Sequence, residues 1–290
     1  MEYKELGATG VRLPEIALGT WEYSGGVEPL LRGIEAGAFF IDTAESYGSE
    51  PVVGEAVRGI RERVFVATKV SSGHLRRSDV LRAADQSLLR LKMDHIDLYQ
   101  LHGPNPTIPI EETMGAMEDL VDAGKIRFIG VSNFMPRELR KAVAAMQRYK
   151  IVSNQVRYSL VERTIEPELL PYCQKNRITV VAFSPLGRGL ANLRRNDPQG
   201  MLSKVAAETG KTEAQVALNW CTSKEGVIAL TKSNSPARVV EDCLASSWRL
   251  SPEHLRMLDE GIRFRQRGAI ELAMRRVARR VYAWRGRLRS

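Results

Sequence analysis

Along the chain, short runs of apolar, largely β-branched residues take turns with longer stretches whose apolar positions recur at helical spacing. The runs fall at 15–19, 38–42, 64–68, 95–101, 126–131, 151–155, 178–183 and 226–230. Strands this continuously apolar are buried on both faces, as in a parallel sheet covered by helices. Eight of them, separated by amphipathic segments, match the strand count and size of an α/β fold of the (β/α)8 TIM barrel type, with a doubly wound open sheet as the competitor. Ser78-Asp79 opens a helix over 78–91, Pro136 with Arg137-Glu138 opens one over 136–147, and Pro236 after Ser235 opens one over 236–246. Ahead of the first barrel strand, residues 3–13 alternate apolar and polar around Gly7-Ala8-Thr9-Gly10, which predicts an N-terminal β-hairpin. A hairpin in that place, with no GxGxxG turn after the first strand, weighs against a Rossmann-type sheet.

Charge divides the chain in two. Its 290 residues include 43 Lys and Arg against 34 Asp and Glu, a formal +9. Ten Arg and one Glu of that total lie in 263–290, which leaves 33 basic and 33 acidic residues before position 263. The expected organisation is therefore a neutral barrel over 1–262 and an Arg-rich tail over 263–290. In the tail, Ile270, Met274, Val277, Val281 and Trp284 recur at spacings of four and three, with Arg275, Arg276, Arg279 and Arg280 on the opposite side. That pattern predicts a cationic amphipathic helix. Its first reading is a helix docked on the barrel. A second brings Arg263, Arg265 or Arg267 to an anionic substrate, and a third is a weak hold on an acidic lipid surface or nucleic acid. Nucleic acid and membrane are not expected partners of the neutral body.

Cys173, Cys221 and Cys243 form no CxxC pattern and suggest reduced thiols. No apolar run reaches the length of a membrane span, and Glu2, Lys4 and Glu5 do not resemble a secretory signal, so a cytoplasmic location is expected.

Chemistry collects at the strand ends, where a barrel of this kind carries its site. The second strand runs into Asp42 and a loop with Tyr47, the third ends at Lys69, and the fourth ends at His102. A carboxylate, a phenol, an ammonium and an imidazole on one rim form a proton-transfer set, and no metal-ligand set matches it. A phenol keeps its proton to about pH 10, so it can protonate an alkoxide only where something stabilises the tyrosinate. Lys69 would lower the Tyr47 pKa, Asp42 would hold Lys69, and His102 would orient a carbonyl oxygen. Such a site reduces carbonyls when hydride is supplied.

The strings from Asp42 to Glu50 (DTAESYGSE), Ala67-Thr68-Lys69, and Asp94 to His102 (DHIDLYQLH) closely resemble the aldo-keto reductase superfamily. So do Gly124 to Phe134, Asn154-Gln155, Phe183 to Gly189, and Lys232 to Pro236, and the resemblance covers about residues 3–262. It implies an NADPH-dependent oxidoreductase that reduces aldehydes or ketones to alcohols, with Tyr47 as proton donor and Asp42, Lys69 and His102 completing the tetrad. Position by position it implies that Thr20 lies near the nicotinamide ribose, that Asp42, Ser132, Asn133 and Gln155 meet the nicotinamide end, and that Phe183 stacks under the ring where many members have tyrosine. Ser184, Leu186, Gly187 and Gly189 would follow the pyrophosphate through backbone amides, and 188–200 would form a flap over the cofactor. Lys232, Ser233 and Arg238 would grip the adenosine 2′-phosphate, Asn234 would also contact the cofactor, and Glu241 with Asp242 would meet the adenine. An asparagine is usual at position 242, and an ionised carboxylate can accept from the adenine amine but cannot donate to a ring nitrogen. Trp21, Tyr47 and His102 would wall the pocket of a small carbonyl substrate. The contrasting implication is a regulatory, partner-binding protein with slow turnover, as the channel β-subunits of this superfamily are.

Overall fold

A computed structural model describes residues 1–268 together with Glu271 and Met274. A two-stranded antiparallel hairpin, β1 (Tyr3–Glu5) and β2 (Arg12–Pro14), precedes eight parallel strands. These are β3 (Ile16–Gly19), β4 (Phe40–Asp42), β5 (Phe65–Val70), β6 (Ile96–Leu101), β7 (Ile126–Ser132), β8 (Ile151–Arg157), β9 (Thr179–Phe183) and β10 (Val227–Thr231). They close into one barrel in chain order, with β10 pairing back onto β3. Each of the eight apolar runs is a barrel strand, and the open-sheet alternative is excluded by the β10–β3 pairing.

Two apolar layers hold the barrel. Outward-facing Ile16, Leu18, Ile41, Val66, Tyr99, Leu101, Ile129 and Val131 are buried beneath the surrounding helices. The inward side chains of the lower half, among them Phe40, Phe65, Leu98, Val181 and Ile228, pack against Leu6 and Leu13 of the hairpin. The hairpin thus plugs the amino-terminal end of the barrel. Gly7 N donates to Thr179 Oγ1 at 2.7 Å, and Lys4 Nζ donates to the Lys224 carbonyl at 2.9 Å, which pins the plug to the strand bottoms. Above the apolar plug the inward positions turn polar: Asp42, Lys69, Gln100 and Gln155 are all buried.

Helix boundaries differ from the sequence expectation where caps were invoked. The helix expected to open at Ser78 runs Arg77–Leu91 with Arg76 at its N-cap and no side-chain cap bond, because Glu112 Oε1 takes the Arg77 amide at 3.1 Å instead. Pro136–Ala145 and Pro236–Cys243 start where their prolines predict. A capping box at Thr212 and Gln215, 3.2 and 3.1 Å in its two bonds, opens Glu213–Thr222. Among the described residues no helix is long and apolar enough to cross a membrane.

Residues 263–267 form a strap rather than a free tail. Arg263 N donates to the Asn196 carbonyl (2.8 Å), Arg265 N to that of Val161 (3.0 Å), and Arg163 N to that of Arg265 (2.9 Å). Arg267 pairs with buried Glu162 at 2.7 Å and with Glu271 at 3.1 Å, and Arg265 pairs with Glu271 at 2.6 Å. Phe264 lies over the Arg163 guanidinium at 4.5 Å, which in turn stacks on buried Trp220. The amphipathic stripe expected from Ile270 onward lies outside the described residues, apart from Met274.

Candidate active site

Strand register puts the polar side chains on neighbouring rungs at the carboxyl end of the barrel. Asp42 stands beside Gly19 and Ala67, Lys69 beside Gln100, Ser132 beside Gln155, and Arg157 beside Phe183. Because side chains alternate along a strand, positions two apart share the barrel interior. Asp42 is 1 % exposed and Lys69 0 %, and they form a direct ion pair through Asp42 Oδ2. Lys69 Nζ also donates to the Thr43 carbonyl at 2.8 Å. The second carboxylate oxygen, Oδ1, accepts from Gln100 Nε2 at 2.9 Å and Gln155 Nε2 at 2.8 Å.

Tyr47 follows β4 on a single 3-10 turn, Glu45–Tyr47, and reaches over this buried pair. Its ring lies 4.9 Å from Lys69 Nζ, and its hydroxyl is 3.2 Å from His102 Nε2. All four members of the expected tetrad therefore meet. The electrostatics differ from expectation in one respect. Burial, joined by the negative charge of Asp42, holds the Tyr47 phenol well above its ordinary range, whereas the sequence suggested a lowering by Lys69. Asp42 neutralises Lys69 at the resting site, so the ammonium does not draw the phenolic proton off. Burial also lowers the Lys69 pKa, against the opposing pull of Asp42.

Burial, and then the Lys69 charge, push the His102 pKa from 6.5 down to about 4, so the imidazole is neutral near pH 7 and carries one N–H. The unfolded chain takes up this proton first as the pH falls. The stability from a neutral His102 is thus complete above about 6.5 and lost as the pH drops through about 4. His102→Gln is expected to flatten that part of the acid limb in thermal melts. An unchanged slope would contradict a buried neutral imidazole.

The tetrad opens into a cleft of about 670 Å3 whose walls include Trp21, Tyr47, His102, Ser132, Asn133 and Phe183. Trp21 stands 54 % exposed at its mouth, as an aromatic wall rather than a packed core residue. Thr20 lies beneath, held by Ser49 Oγ at 2.9 Å and donating to the Asp42 carbonyl at 3.1 Å. Asn133, in a left-handed conformation at φ 61°, donates from Nδ2 to the His102 carbonyl and to Ser132 Oγ, both at 3.0 Å. Ser132, Asn133 and Gln155 therefore gather on one rim, with the half-buried Phe183 ring facing the same cleft. Amide and hydroxyl groups beside an aromatic face, with Arg188 and Lys232 further along the wall, suit a nicotinamide dinucleotide.

Further from the tetrad, the structure sharpens several expectations. Ser184, Leu186 and Gly189 line the cleft, but the Gly187 and Gly189 amides already donate to the Ser184 and Leu186 carbonyls, both at 2.9 Å. Glycine at 187 instead answers φ 62° and a close approach, since a Cβ there would lie 2.8 Å from Val161 Cγ2. The expected flap contains a helix, Leu190–Arg195, braced by Asn192 Nδ2 on the Gly187 carbonyl at 2.8 Å and by the strap on Asn196. Lys232 lines the cleft, whereas Ser233, Asn234, Arg238, Glu241 and Asp242 lie on the loop and helix that follow it. Ser233 Oγ accepts from Ser235 N at 3.1 Å, and Asn234 bridges to Ser24 at 2.9 Å. The Asp242 carboxyl is turned inward onto Thr231 Oγ1 at 2.5 Å, and burial pushes its pKa up to about 6. It is thus a buried helix anchor rather than an open adenine contact. Arg263, Arg265 and Arg267 do not line the cleft, which leaves them to the strap.

Sequence reasoning passed over Glu22, Ser46, Arg157 and Pro185, which also line the cleft. Arg157 lies two residues beyond Gln155 on β8, and its guanidinium sits 5.4 Å from the Phe183 ring centroid. The period-two spacing from Gln155 was the signal that pointed to it.

Comparison with known proteins agrees with this geometry. Residues 15–263 match the aldo/keto reductase family. The chain is 38% identical to the methylglyoxal reductase YeaE of Escherichia coli, covering 90% of this chain and 95% of that one. It is 33% identical to the aldo-keto reductase YhdN of Bacillus subtilis, over 87% and 91% of the two chains. A crystal structure of an aldo/keto reductase from Klebsiella pneumoniae in complex with NADP and acetate superposes with a TM-score of 0.83 at 38% identity, covering 91% of this chain and 96% of that one. With a closed parallel barrel, a buried Asp–Lys pair under a tyrosine and histidine, and relatives matched almost end to end, the chain belongs to the aldo/keto reductase family.

Proposed function

We propose that Tyr47 is the proton donor of this NADP-dependent oxidoreductase and that Asp42, Lys69 and His102 prepare it, in the reduction of aldehydes or ketones to alcohols. The observation that supports the reading best is the Tyr47 hydroxyl standing 3.2 Å from His102 Nε2 above a buried Asp42–Lys69 pair. NADPH, when bound, supplies the hydride that attacks the carbonyl carbon. The remaining task falls to the protein: it must hold the carbonyl oxygen, deliver one proton to it and tolerate the phenolate left behind.

A neutral His102 with its proton on Nε2 donates towards the carbonyl oxygen and polarises it. Tyr47 keeps its proton through the resting state because burial disfavours the phenolate. As negative charge builds on the oxygen, the O–H bond of Tyr47 breaks, its proton passes to that oxygen, and the alcohol is complete. The phenolate that remains faces the Lys69 ammonium 4.9 Å from its ring centroid, which stabilises it until water at the cleft mouth returns a proton.

We assign the nicotinamide end of the cofactor to Thr20, Ser132, Asn133, Gln155 and Phe183, its phosphates to the 184–189 turn, and its 2′-phosphate to Lys232 and Arg238. Arg238 is exposed on the first turn of Pro236–Cys243, where a guanidinium can meet a dianion. The neutral barrel over 1–262, the strap and the basic remainder are read as one catalytic unit with an appendage. Three buried free cysteines suit a reducing, cytoplasmic setting. The substrates to try first are small α-oxoaldehydes, because the relative from Escherichia coli is a methylglyoxal reductase. Loss of NADPH absorbance on adding methylglyoxal and a panel of aldehydes and ketones is the expected result. Tight NADPH binding with no turnover across the panel would replace the enzyme reading with a cofactor-dependent regulatory one.

A further inference from the structure

We propose that Gln100 is a positioning residue for the proton-transfer centre, fixing Asp42 and through it the Lys69 ammonium under Tyr47. The proposal rests on the reading of Tyr47 as proton donor. Leu98 and Gln100 on β6, and His102 just beyond its end, alternate onto the barrel interior, so one strand and its exit contribute to the apolar plug, to the buried pair and to the rim in turn. Gln100 is completely buried, and its register partner on β5 is Lys69.

The Asp42 carboxylate is divided between its neighbours. Oδ2 takes the Lys69 ammonium, while Oδ1 takes one amide from β6 and one from β8, Gln100 at 2.9 Å and Gln155 at 2.8 Å. An ammonium alone leaves a carboxylate free to swing about its last bond. Two amide donors on the other oxygen fix that rotation, and with it the place of Lys69 beneath the Tyr47 ring.

Two further observations separate this role from ordinary packing. Gln100 Oε1 is buried and accepts no hydrogen bond among the described residues. Turning the amide over would press that oxygen against the Asp42 carboxylate, so the charge dictates the orientation. On the adjacent strand β7 its register partner, position 130, is a glycine, and a Cβ there would lie 3.0 Å from Gln100 Cγ and 2.6 Å from Ser153 Oγ. The missing side chain at 130 leaves room for Ser153 and for Gln100 alike.

The titratable groups packed around this centre are Asp42 from β4, Tyr47 from the turn after it, Lys69 from β5 and His102 just after β6. Glu50 acts on Lys69, and Glu45 on His102, at longer range. A new carboxyl at position 100 would be forced to share Asp42 with a like charge, which makes the position readable by pH.

The test compares Gln100→Met and Gln100→Glu in the full chain with Tyr47→Phe, following kcat, carbonyl KM, NADPH affinity and melting temperature. Gln100→Met keeps the shape and removes the donor. It is expected to lower kcat by about tenfold or more while KM and NADPH affinity stay near wild type. Gln100→Glu donates to Asp42 only while protonated. Its kcat is expected to approach wild type at acid pH and to fall as the pH rises, a limb absent from the wild-type profile. Wild-type kcat in Gln100→Met together with a wild-type pH profile in Gln100→Glu overturns the proposal. Should Gln100→Met fail to fold, the Gln100→Glu profile decides alone. If Tyr47→Phe keeps its rate, the proton-donor reading itself has failed. If only Tyr47→Phe loses its rate, that reading stands and the role of Gln100 falls.

Discussion

Tyr47→Phe is expected to reduce carbonyl turnover by about three orders of magnitude, within the range that a positioned general acid contributes. NADPH affinity and the melting temperature should stay close to wild type, because among the described residues the hydroxyl is held by a single neighbour, His102 Nε2 at 3.2 Å, while the ring keeps its contact with Lys69. The loss should fall on kcat more than on KM, since the proton moves only as charge develops on the carbonyl oxygen. A variant that reduces methylglyoxal or any other good substrate at the wild-type rate would remove Tyr47 from the chemistry. Rates of the wild-type protein across pH should show no loss of the phenolic proton near its ordinary value, because burial and Asp42 hold it on the ring.

Lys69→Met is expected to damage the fold as well as the rate. Asp42 would remain 1 % exposed, and among the described residues its carboxylate would hold the Gln100 and Gln155 amides with no cation beside it. Stranding one partner of a buried pair costs about 3–5 kcal/mol. For a domain of this size that corresponds to a melting temperature lower by roughly ten degrees. Removing both charges in Lys69→Met with Asp42→Leu should recover much of the stability, since a buried pair is often replaceable by apolar side chains, yet none of the activity. Thermal melts of the two variants decide the matter. A double variant no more stable than Lys69→Met would mean that the carboxylate is not what destabilises the single one.

Much of this was visible in the chain. The eight barrel strands were legible because a sheet covered on both faces needs unbroken apolar runs, and the hairpin because its turn is rich in glycine. The tetrad was legible because four polar residues follow four consecutive runs. Three features were less so. The direction of the Tyr47 pKa depends first on how deeply the phenol is buried and then on the Asp42 charge beside it, neither of which spacing along the chain reveals. The inward turn of Asp42's distant namesake Asp242 onto Thr231 depends on how Pro236–Cys243 docks, a tertiary choice that the motif does not encode. Gln100 lay within a recognised motif but was read as part of a string. Its period-two relation to Leu98 and His102 was the available signal.

The strap has a practical consequence. It is bonded to Val161, Arg163 and Asn196, in the segments that follow β8 and β9, whereas Met1 packs near Gly37 at the plugged end of the barrel. An affinity tag or a surface linker inserted within the strap would sit at the end of the barrel that carries the cleft. Attached at Met1, the same handle would tether the molecule by its closed end and leave the mouth turned towards solution.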